Sequence, residues 1–315
     1  MSQKPTVLVT GAAGFLGSHL CDAMLAAGYA VRAVDNLSGG SLDNLAGALD
    51  HPDFAFQQLD LKDSAACRSV CAGAEVVLHQ AALASVPTSI ADPLRCHHET
   101  LDTTVNMLEA ALRQGCRRFL YASSASIYGD TTAAPVAESL PFSPMSPYAA
   151  AKAGSEHYVQ AFARMGLDGA SLRYFNVYGA RQRADSSYSG VISIFAARAR
   201  QGLPVTVYGD GLQSRDFVHV RDVCAANLAA LRYAKPLAGT AINIGTGRSV
   251  TLLTLLEGIG SALGRAISVQ HEPARQGDIR HSCADVSRAR KLLGFSADTR
   301  LEQGLKSFLG TGDRA

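Results

Sequence analysis

Short apolar runs alternate with longer stretches whose apolar residues recur every three or four positions, from the first residues onward. Thr6-Val7-Leu8-Val9-Thr10 is a β-branched run of strand length, and Phe15 to Ala27 follows with helical spacing. Ala30 to Val34 is a second strand, ending at Asp35. Phe54 to Leu59, Glu75 to Leu78, Arg118 to Ala122 and Ser171 to Phe175 continue the series. Between them the spacing predicts helices, notably Asp92 to Gln114 and Pro147 to Met165. Alternation of this kind implies right-handed βαβ crossovers, hence an α/β fold with a doubly wound parallel sheet.

After Gly179 the rhythm loosens. Ala180 to Gly190 is polar and irregular, and helices are expected over Ile192 to Gln201, Asp222 to Ala234 and Thr251 to Leu263. Short strands are expected at Val205 to Gly211, Phe217 to Val220 and Ala241 to Ile244, with two short helices at the end. No linker, repeat or low-complexity tract separates the parts. The expected organisation is therefore two intimate lobes: residues 1–175 with 216–245, and a smaller C-terminal one of 176–215 with 246–315.

Composition narrows the class without choosing a chemistry. The chain has 315 residues, 47% hydrophobic, enough to bury a large core. Charged residues are 18% and the net charge is +2, which argues against a disordered chain or a nucleic-acid binder. The seven cysteines show no CxxC pair or metal-ligand spacing, so no metal is expected. They read as reduced, mostly buried thiols in a cytoplasmic protein. The N-terminus has no signal-peptide pattern, and no apolar stretch of about 18 residues is present to span a membrane.

Two constellations bear chemistry. The first is Gly11-Ala12-Ala13-Gly14-Phe15-Leu16-Gly17, between a strand and a helix. Glycines there permit a tight turn, close backbone approach to a pyrophosphate, and close helix–strand packing. Asp35 ends the next strand, where a carboxylate accepts the ribose hydroxyls of an adenosine and repels a 2′-phosphate. That favours NAD over NADP. Arg32 is nearby, but a strand face or solvent is its expected destination. Asp60 and Leu61 end the third strand and could border the adenine, although Asp60 reads equally as a helix cap before Ser64.

The second is Ser146-Pro147-Tyr148-Ala149-Ala150-Ala151-Lys152. Ser146 suits an N-cap and Pro147 a first helical position. Tyr148 then lies in the first turn with Lys152 one turn on, sharing a face. A phenol with a free pKa near ~10 needs help to act as a base. The lysine ammonium, the positive helix end and a cationic nicotinamide would all favour phenolate.

With these motifs the chain resembles the extended short-chain dehydrogenases/reductases, and within them the nucleotide-sugar 4-epimerases. The resemblance also rests on Tyr121-Ala122-Ser123-Ser124-Ala125-Ser126-Ile127-Tyr128-Gly129, Arg173-Tyr174-Phe175-Asn176-Val177-Tyr178-Gly179, Gly209 to Val218, and Arg275-Gln276-Gly277-Asp278. It implies an extended Rossmann fold with a smaller C-terminal substrate lobe. NAD would lie against the glycine loop, Phe15, Leu16, Asp35, Asn36, Asp60, Leu61, Gln80, Ala81 and Ala82. Ser124 would bond the sugar hydroxyl being oxidised, Tyr148 would take its proton, and Lys152 would also hold the nicotinamide ribose. Asn176 would contact the phosphate or uracil region, Arg215 and Arg275 the diphosphate, and Asp278 the uridine ribose. Ser85, Ser126, Gly190, Val191, Tyr208 and Ser282 would complete the site. In such epimerases a small residue at the Ser282 position admits a 2-acetamido sugar; Ser282 reads otherwise as a turn cap before the last helices. The implied activity is 4-epimerisation of a UDP-hexose, UDP-GlcNAc/UDP-GalNAc first, with UDP-glucose/UDP-galactose or UDP-uronates as alternatives. The implied assembly is a homodimer through the helices at 92–114 and 147–165.

One departure is Thr100, where many relatives carry Asn ahead of a Gly-Thr pair, here Thr103-Thr104. A 4,6-dehydratase would need an adjacent Asp-Glu after Ser124, and a uronate decarboxylase a Glu. This chain has Ala125-Ser126. A non-catalytic NAD-binding sensor would be expected to have lost the Tyr or the Lys.

Overall fold

The computed structural model describes residues 4–182, 190–274 and 279–310. In chain order the first elements are β1 (Thr6–Thr10), α1 (Phe15–Ala26), β2 (Ala30–Asp35), β3 (Phe54–Gln58), α2 (Ser64–Cys71) and β4 (Val76–His79). The short helices α3 (Val86–Ala91) and α4 (Pro93–His97) lead through a π-helical turn at His98–Asp102 into α5 (Thr103–Arg113). Then come β5 (Arg118–Ser124), α6 (Pro147–Arg164), β6 (Gly169–Tyr174), β7 (Asn176–Tyr178), α7 (Val191–Arg200), β8 (Val205–Tyr208), β9 (Ser214–Arg215) and β10 (Phe217–His219). The chain ends with α8 (Val220–Arg232), β11 (Thr240–Ile244), β12 (Val250–Thr251), α9 (Leu252–Leu263), β13 (Val269–Glu272), α10 (Ser287–Leu293) and α11 (Leu301–Gly310).

Seven strands form one sheet in the order β11-β6-β5-β4-β1-β2-β3, and every pairing in it is parallel. Strand order reverses at β1, which pairs with β2 on one side and β4 on the other. A crevice therefore opens at the C-terminal ends of β1 and β4, the usual ligand position in such sheets. Strands with both faces covered carry near-continuous apolar runs. β4, β5 and β6 fit this: nearly every residue in them is buried.

One apolar cluster packs α1 and α8 on one face of the sheet, through residues such as Leu20, Met24, Val223 and Leu231. A second packs α2, α5 and α6 on the other, through Val70, Met107, Leu108 and Val159. A third lies under the short strands, joining Tyr178, Phe195, Val207, Leu255 and Leu305.

The helix expected over 92–114 is not continuous. Asp92 caps α4, accepting from the Arg95 amide at 3.0 Å, and the π-helical turn separates α4 from α5. Apolar spacing survives such a turn, so the sequence pattern hides it. All seven cysteines are free and six are buried. Among the described residues no helix is long and apolar enough to cross a membrane.

Candidate active site

The glycine loop has three separate reasons for its glycines. Gly11 has φ 62°, and a Cβ there would lie 2.8 Å from the Ala81 amide nitrogen. A Cβ on Gly17 would lie 2.0 Å from the Gly11 carbonyl oxygen, so α1 rests directly on the turn. Gly14 caps α1 without a side-chain hydrogen bond, and beside it a Cβ would meet only the Gly11 carbonyl, at 3.2 Å. The first-turn amides of a helix have no partners within it. With no side chain covering them, they face an open cradle that suits a diphosphate.

Asp35 is buried and binds both sides of this cradle. One oxygen accepts from the Leu37 amide at 2.7 Å, the other from Ala13 at 3.0 Å. Burial raises its pKa, and these amides oppose the rise. A carboxylate oxygen can accept more than one bond, so ribose hydroxyls remain within its capacity. Asn36 accepts from Ser38 in the same turn. Arg32 turns away, donating to the Val70 and Ala72 carbonyls at the end of α2.

Asp60 is not the cap of α2; Asp63 is, accepting from Ala65 at 2.8 Å. Asp60 instead accepts from the Lys62 amide and stays exposed, while Leu61 enters the core. Gln80, Ala81 and Ala82 follow β4 beside Gly11, and both amide atoms of Gln80 are buried without a hydrogen bond. Phe15 and Leu16 are half-buried against the core.

A relay the sequence reading missed fixes this crevice. The Thr104 hydroxyl donates to the Thr100 carbonyl at 2.6 Å, so its oxygen accepts from His79 Nε2 at 3.1 Å. His79 Nδ1 then accepts from the Thr10 hydroxyl at 2.8 Å, and the Thr10 oxygen accepts from the Gln80 and Ala81 amides. Burial holds His79 neutral, with its pKa down to about 3. Thr100 is buried and accepts from the Leu83 amide at 3.2 Å.

The second constellation folds as its spacing predicts. Ser146 caps α6, accepting from Ala149 at 3.2 Å, with Pro147 in the first turn. Tyr148 is half-buried, Lys152 is 3% exposed, and the ammonium nitrogen lies 5.9 Å from the centre of the Tyr148 ring. Lys152 donates to the Ala122 carbonyl at 2.7 Å, tying α6 to the end of β5. Ser124 is the next residue but one along β5, and its hydroxyl acts to lower the pKa of the Tyr148 phenol. Ser126 follows, its hydroxyl shielded from solvent and without a hydrogen bond.

The electrostatics differ from the sequence expectation. Desolvation dominates: it raises the Tyr148 phenol, against the pull of Ser124, and lowers Lys152 to about 7. Burial therefore works against the ammonium that would favour phenolate. The sequence shows which charges are neighbours but not that water has left them.

Behind the site lies a buried charged network, also missed. Glu156, one turn beyond Lys152 on α6, accepts from Ser123 at 2.5 Å and pairs with Arg173 at 2.8 Å. Arg173 Nη1 in turn reaches Tyr128, whose hydroxyl donates to Asn243 at 2.6 Å. Regular (i, i+4) spacing from Tyr148 through Lys152 to Glu156 was the available signal.

Substrate-side residues are distributed unevenly. Ser282 lines a narrow cleft with Ala125, Tyr128, Gly129 and Phe175. It caps nothing: the turn into α10 is made by Asp285, which accepts from Ser287. Asn176 opens β7 and is exposed beside the site. Ser85 is buried and caps α3, accepting from Thr88 at 3.1 Å. Gly190 and Val191 start α7, Tyr208 ends β8, and Arg215 on β9 donates to the Ser214 carbonyl. Arg275 and Asp278 lie outside the described residues.

Residues 7–245 match the NAD dependent epimerase/dehydratase family. The chain belongs to it. It is therefore an NAD-dependent enzyme of this family, and the cradle between Gly14 and Asp35 fits the cofactor. The UDP-glucose 4-epimerase of Mycolicibacterium smegmatis is 36% identical over 95% of each chain. A dTDP-glucose 4,6-dehydratase of Actinoplanes is 35% identical, again over 95% of each. Among solved structures, the UDP-N-acetylglucosamine 4-epimerase of Methanobrevibacter ruminantium, in complex with UDP-N-acetylmuramic acid, superposes with a TM-score of 0.93 at 37% identity, covering 98% of both chains.

Proposed function

We propose that this enzyme is an NAD-dependent 4-epimerase of UDP-hexoses, with UDP-GlcNAc and UDP-GalNAc as its preferred pair. The observation that carries the reaction type is the end of β5. Ser124 faces Tyr148, and the next two residues are Ala125 and Ser126 rather than carboxylates. Oxidation at a sugar carbon needs only the tyrosine and its hydrogen-bonding partner, whereas elimination of water needs a further acid and base. The preference for a 2-acetamido sugar rests on the small side chain of Ser282 and on its small neighbours Ala125 and Gly129 along this narrow cleft.

In this reading the first turn of α1 and Asp35 hold NAD, with Lys152 at its nicotinamide end. Bound NAD supplies reversible hydride acceptance at the sugar's C4. The chain's own residues do the rest. Ser124 orients the 4-hydroxyl, Tyr148 Oη takes its proton and later returns it, and Lys152 balances the charge. Asn176, Arg215 and the sequence-assigned Arg275 and Asp278 bind the UDP moiety. The proposed division of labour follows the fold: residues 1–175 with 216–245 for NAD, and 176–215 with 246–315 for the nucleotide sugar. Exposed Ile90 and Leu94 on the outer helical face support a homodimer there.

The test is kcat/KM for both sugar pairs in wild type and in Ser282→Tyr. Overfilling a packed site costs ~1–3 kcal/mol, so the acetamido pair should lose about five- to 150-fold while the plain hexoses change little. A wild type inactive on UDP-GlcNAc, or an unchanged substrate ratio in the variant, refutes the assignment.

A further inference from the structure

Ser282 sits in a short extended segment, residues 280–285, that lies between two neighbours. On one side runs β9: the Ser214 amide donates to the Arg280 carbonyl at 2.9 Å, and the Ser282 amide to the Ser214 carbonyl at 3.0 Å. On the other side the Val136 amide donates to the Cys283 carbonyl at 2.7 Å, and its carbonyl accepts from Asp285 at 2.9 Å. Side chains hold the two ends. Arg280 makes a two-pronged pair with Asp210, at 2.7 and 2.8 Å. Past Ser282, the Ala284 amide donates to Asp216 Oδ2 at 3.1 Å.

Asp216 lies between β9 and β10 and is 0% exposed. Its Oδ1 accepts from the Thr246 amide at 2.8 Å and the Thr246 hydroxyl at 2.6 Å, and its Oδ2 also accepts from the Gly247 amide at 2.9 Å. Its backbone carbonyl accepts from the Asn176 amide at 3.0 Å. The carboxylate is thus held by N–H and O–H donors rather than by a cation. One residue joins Arg215 before it, Asn176 on β7, the turn after β11 and the segment of Ser282. The junction is packed tightly: a Cβ on Gly245 would lie 2.8 Å from both Ala284 Cβ and Asp216 Oδ2.

We propose that Asp216 is a positioning residue for sugar selectivity, setting through the Ala284 amide how closely Ser282 approaches the hexose. The inference rests on the reading of Ser282 as the residue beside the sugar's 2-substituent. An asparagine of the same shape is no substitute. Either orientation sets its NH2 against a backbone N–H, that of Thr246 on one side or those of Gly247 and Ala284 on the other. It also loses the charge that strengthens these bonds. Small movements suffice, because misplacing a positioned group by about one ångström can cost on the order of 10²-fold.

The experiment uses the NAD-loaded protein, Asp216→Asn and, independently, Gly245→Ala, which drives a methyl into the same junction without changing charge. Cys283 is the one cysteine of the seven that is not buried, and it lies between Ser282 and Ala284. Its rate of maleimide labelling, located by peptide mass spectrometry, reports release of the segment without reference to activity. That rate should rise at least about tenfold in both variants, as loss of a hydrogen bond to a charged group implies. The kcat/KM ratio of acetamido to plain sugars should fall at least about threefold, mostly through KM. UDP affinity and retained NAD should change little, because the Arg280 end and the glycine loop keep their own contacts. Asp168→Asn is the control for a purely structural role. That carboxylate accepts from Arg118, Leu237 and Ala238 before the first residue of β6, so its loss should lower the unfolding midpoint and leave labelling and ratio alone. Unchanged labelling or an unchanged ratio in the folded variants, or the same shifts in Asp168→Asn, would overturn the proposal. If Asp216→Asn does not fold, Gly245→Ala decides alone. Faster labelling in variants of an enzyme that turns over neither sugar pair would refute the proposed function and leave the anchor standing.

Discussion

The proton balance between Tyr148 and Lys152 makes a quantitative demand on the rate. Desolvation brings Lys152 down from 10.5 to about 7, while it raises Tyr148 above 10.0. Between those values the pair holds a single shared proton. It exists as phenol with amine or as phenolate with ammonium, and only the second contains the base. The two forms have the same proton count, so their ratio does not change with pH. Below 7 the pair takes a second proton and the base is gone. One unit lower, about a tenth of the molecules remain competent. Thus kcat/KM should be level from about pH 7 to 10 and fall about tenfold per unit below that. A bound nicotinamide cation adds positive charge and moves the inflection, if anywhere, to lower pH.

The same shift acts on stability with a definite sign. The unfolded lysine binds its proton up to about 10.5 and the folded one only to about 7, so this group adds stability as pH rises through that window. Below 7 the full penalty of a buried ammonium applies. Initial rates of UDP-sugar interconversion at constant ionic strength, with unfolding followed in parallel, separate the two effects. Tyr148→Phe should lower turnover by about 10²–10⁴ on the plateau above pH 7, with the difference shrinking at lower pH. A wild-type rate that climbs steadily to pH 10 would refute the reasoning, because it would mean that the phenol titrates alone beside an ordinary ammonium.

Gly17→Ala places a methyl 2.0 Å from the Gly11 carbonyl oxygen, backbone that cannot swing aside. It should cost at least about 1–3 kcal/mol in urea unfolding and reduce retained NAD; a wild-type midpoint would contradict that packing. Glu156→Gln leaves Arg173 buried without its anion, so a loss of about 3–5 kcal/mol is expected, and one below about 1 would show the pair to be dispensable. Protein denatured after purification should release NAD, as mass spectrometry can check; predominant NADP would contradict the role proposed for Asp35.

The motifs were legible because each is local. A strand, a glycine turn and a helix follow one another from Thr6 to Ala26, and Ser146 to Lys152 carries cap, proline, tyrosine and lysine in consecutive positions. Parallel strands buried on both faces also announce themselves as apolar runs. What escaped is non-local or solvent-dependent. Asp216 accepts from Thr246, Gly247 and Ala284, partners 30 to 68 residues away, and nothing in its neighbourhood of sequence points to them. The strands β7, β9 and β12 have two or three residues, too few to establish a period. The break between α4 and α5 leaves the apolar spacing intact. Asp60 is ambiguous in the sequence because a carboxylate four residues before a helix and one immediately before it look alike until hydrogen bonds choose Asp63.

The last strand of the main sheet has a consequence for synthesis on the ribosome. β11 pairs with β6, yet 65 residues of other structure separate Tyr174 from Thr240. Until residue 244 has emerged, β6 is an open edge, with Ala170, Leu172 and Tyr174 on one face and unpaired amides and carbonyls along its side. Such an edge recruits strands from neighbouring chains. Premature termination anywhere between 175 and 240 therefore leaves a six-stranded sheet that is adhesive rather than merely inactive. The protein is most exposed to chaperones and to self-association during the interval in which the ribosome translates the substrate-side segment.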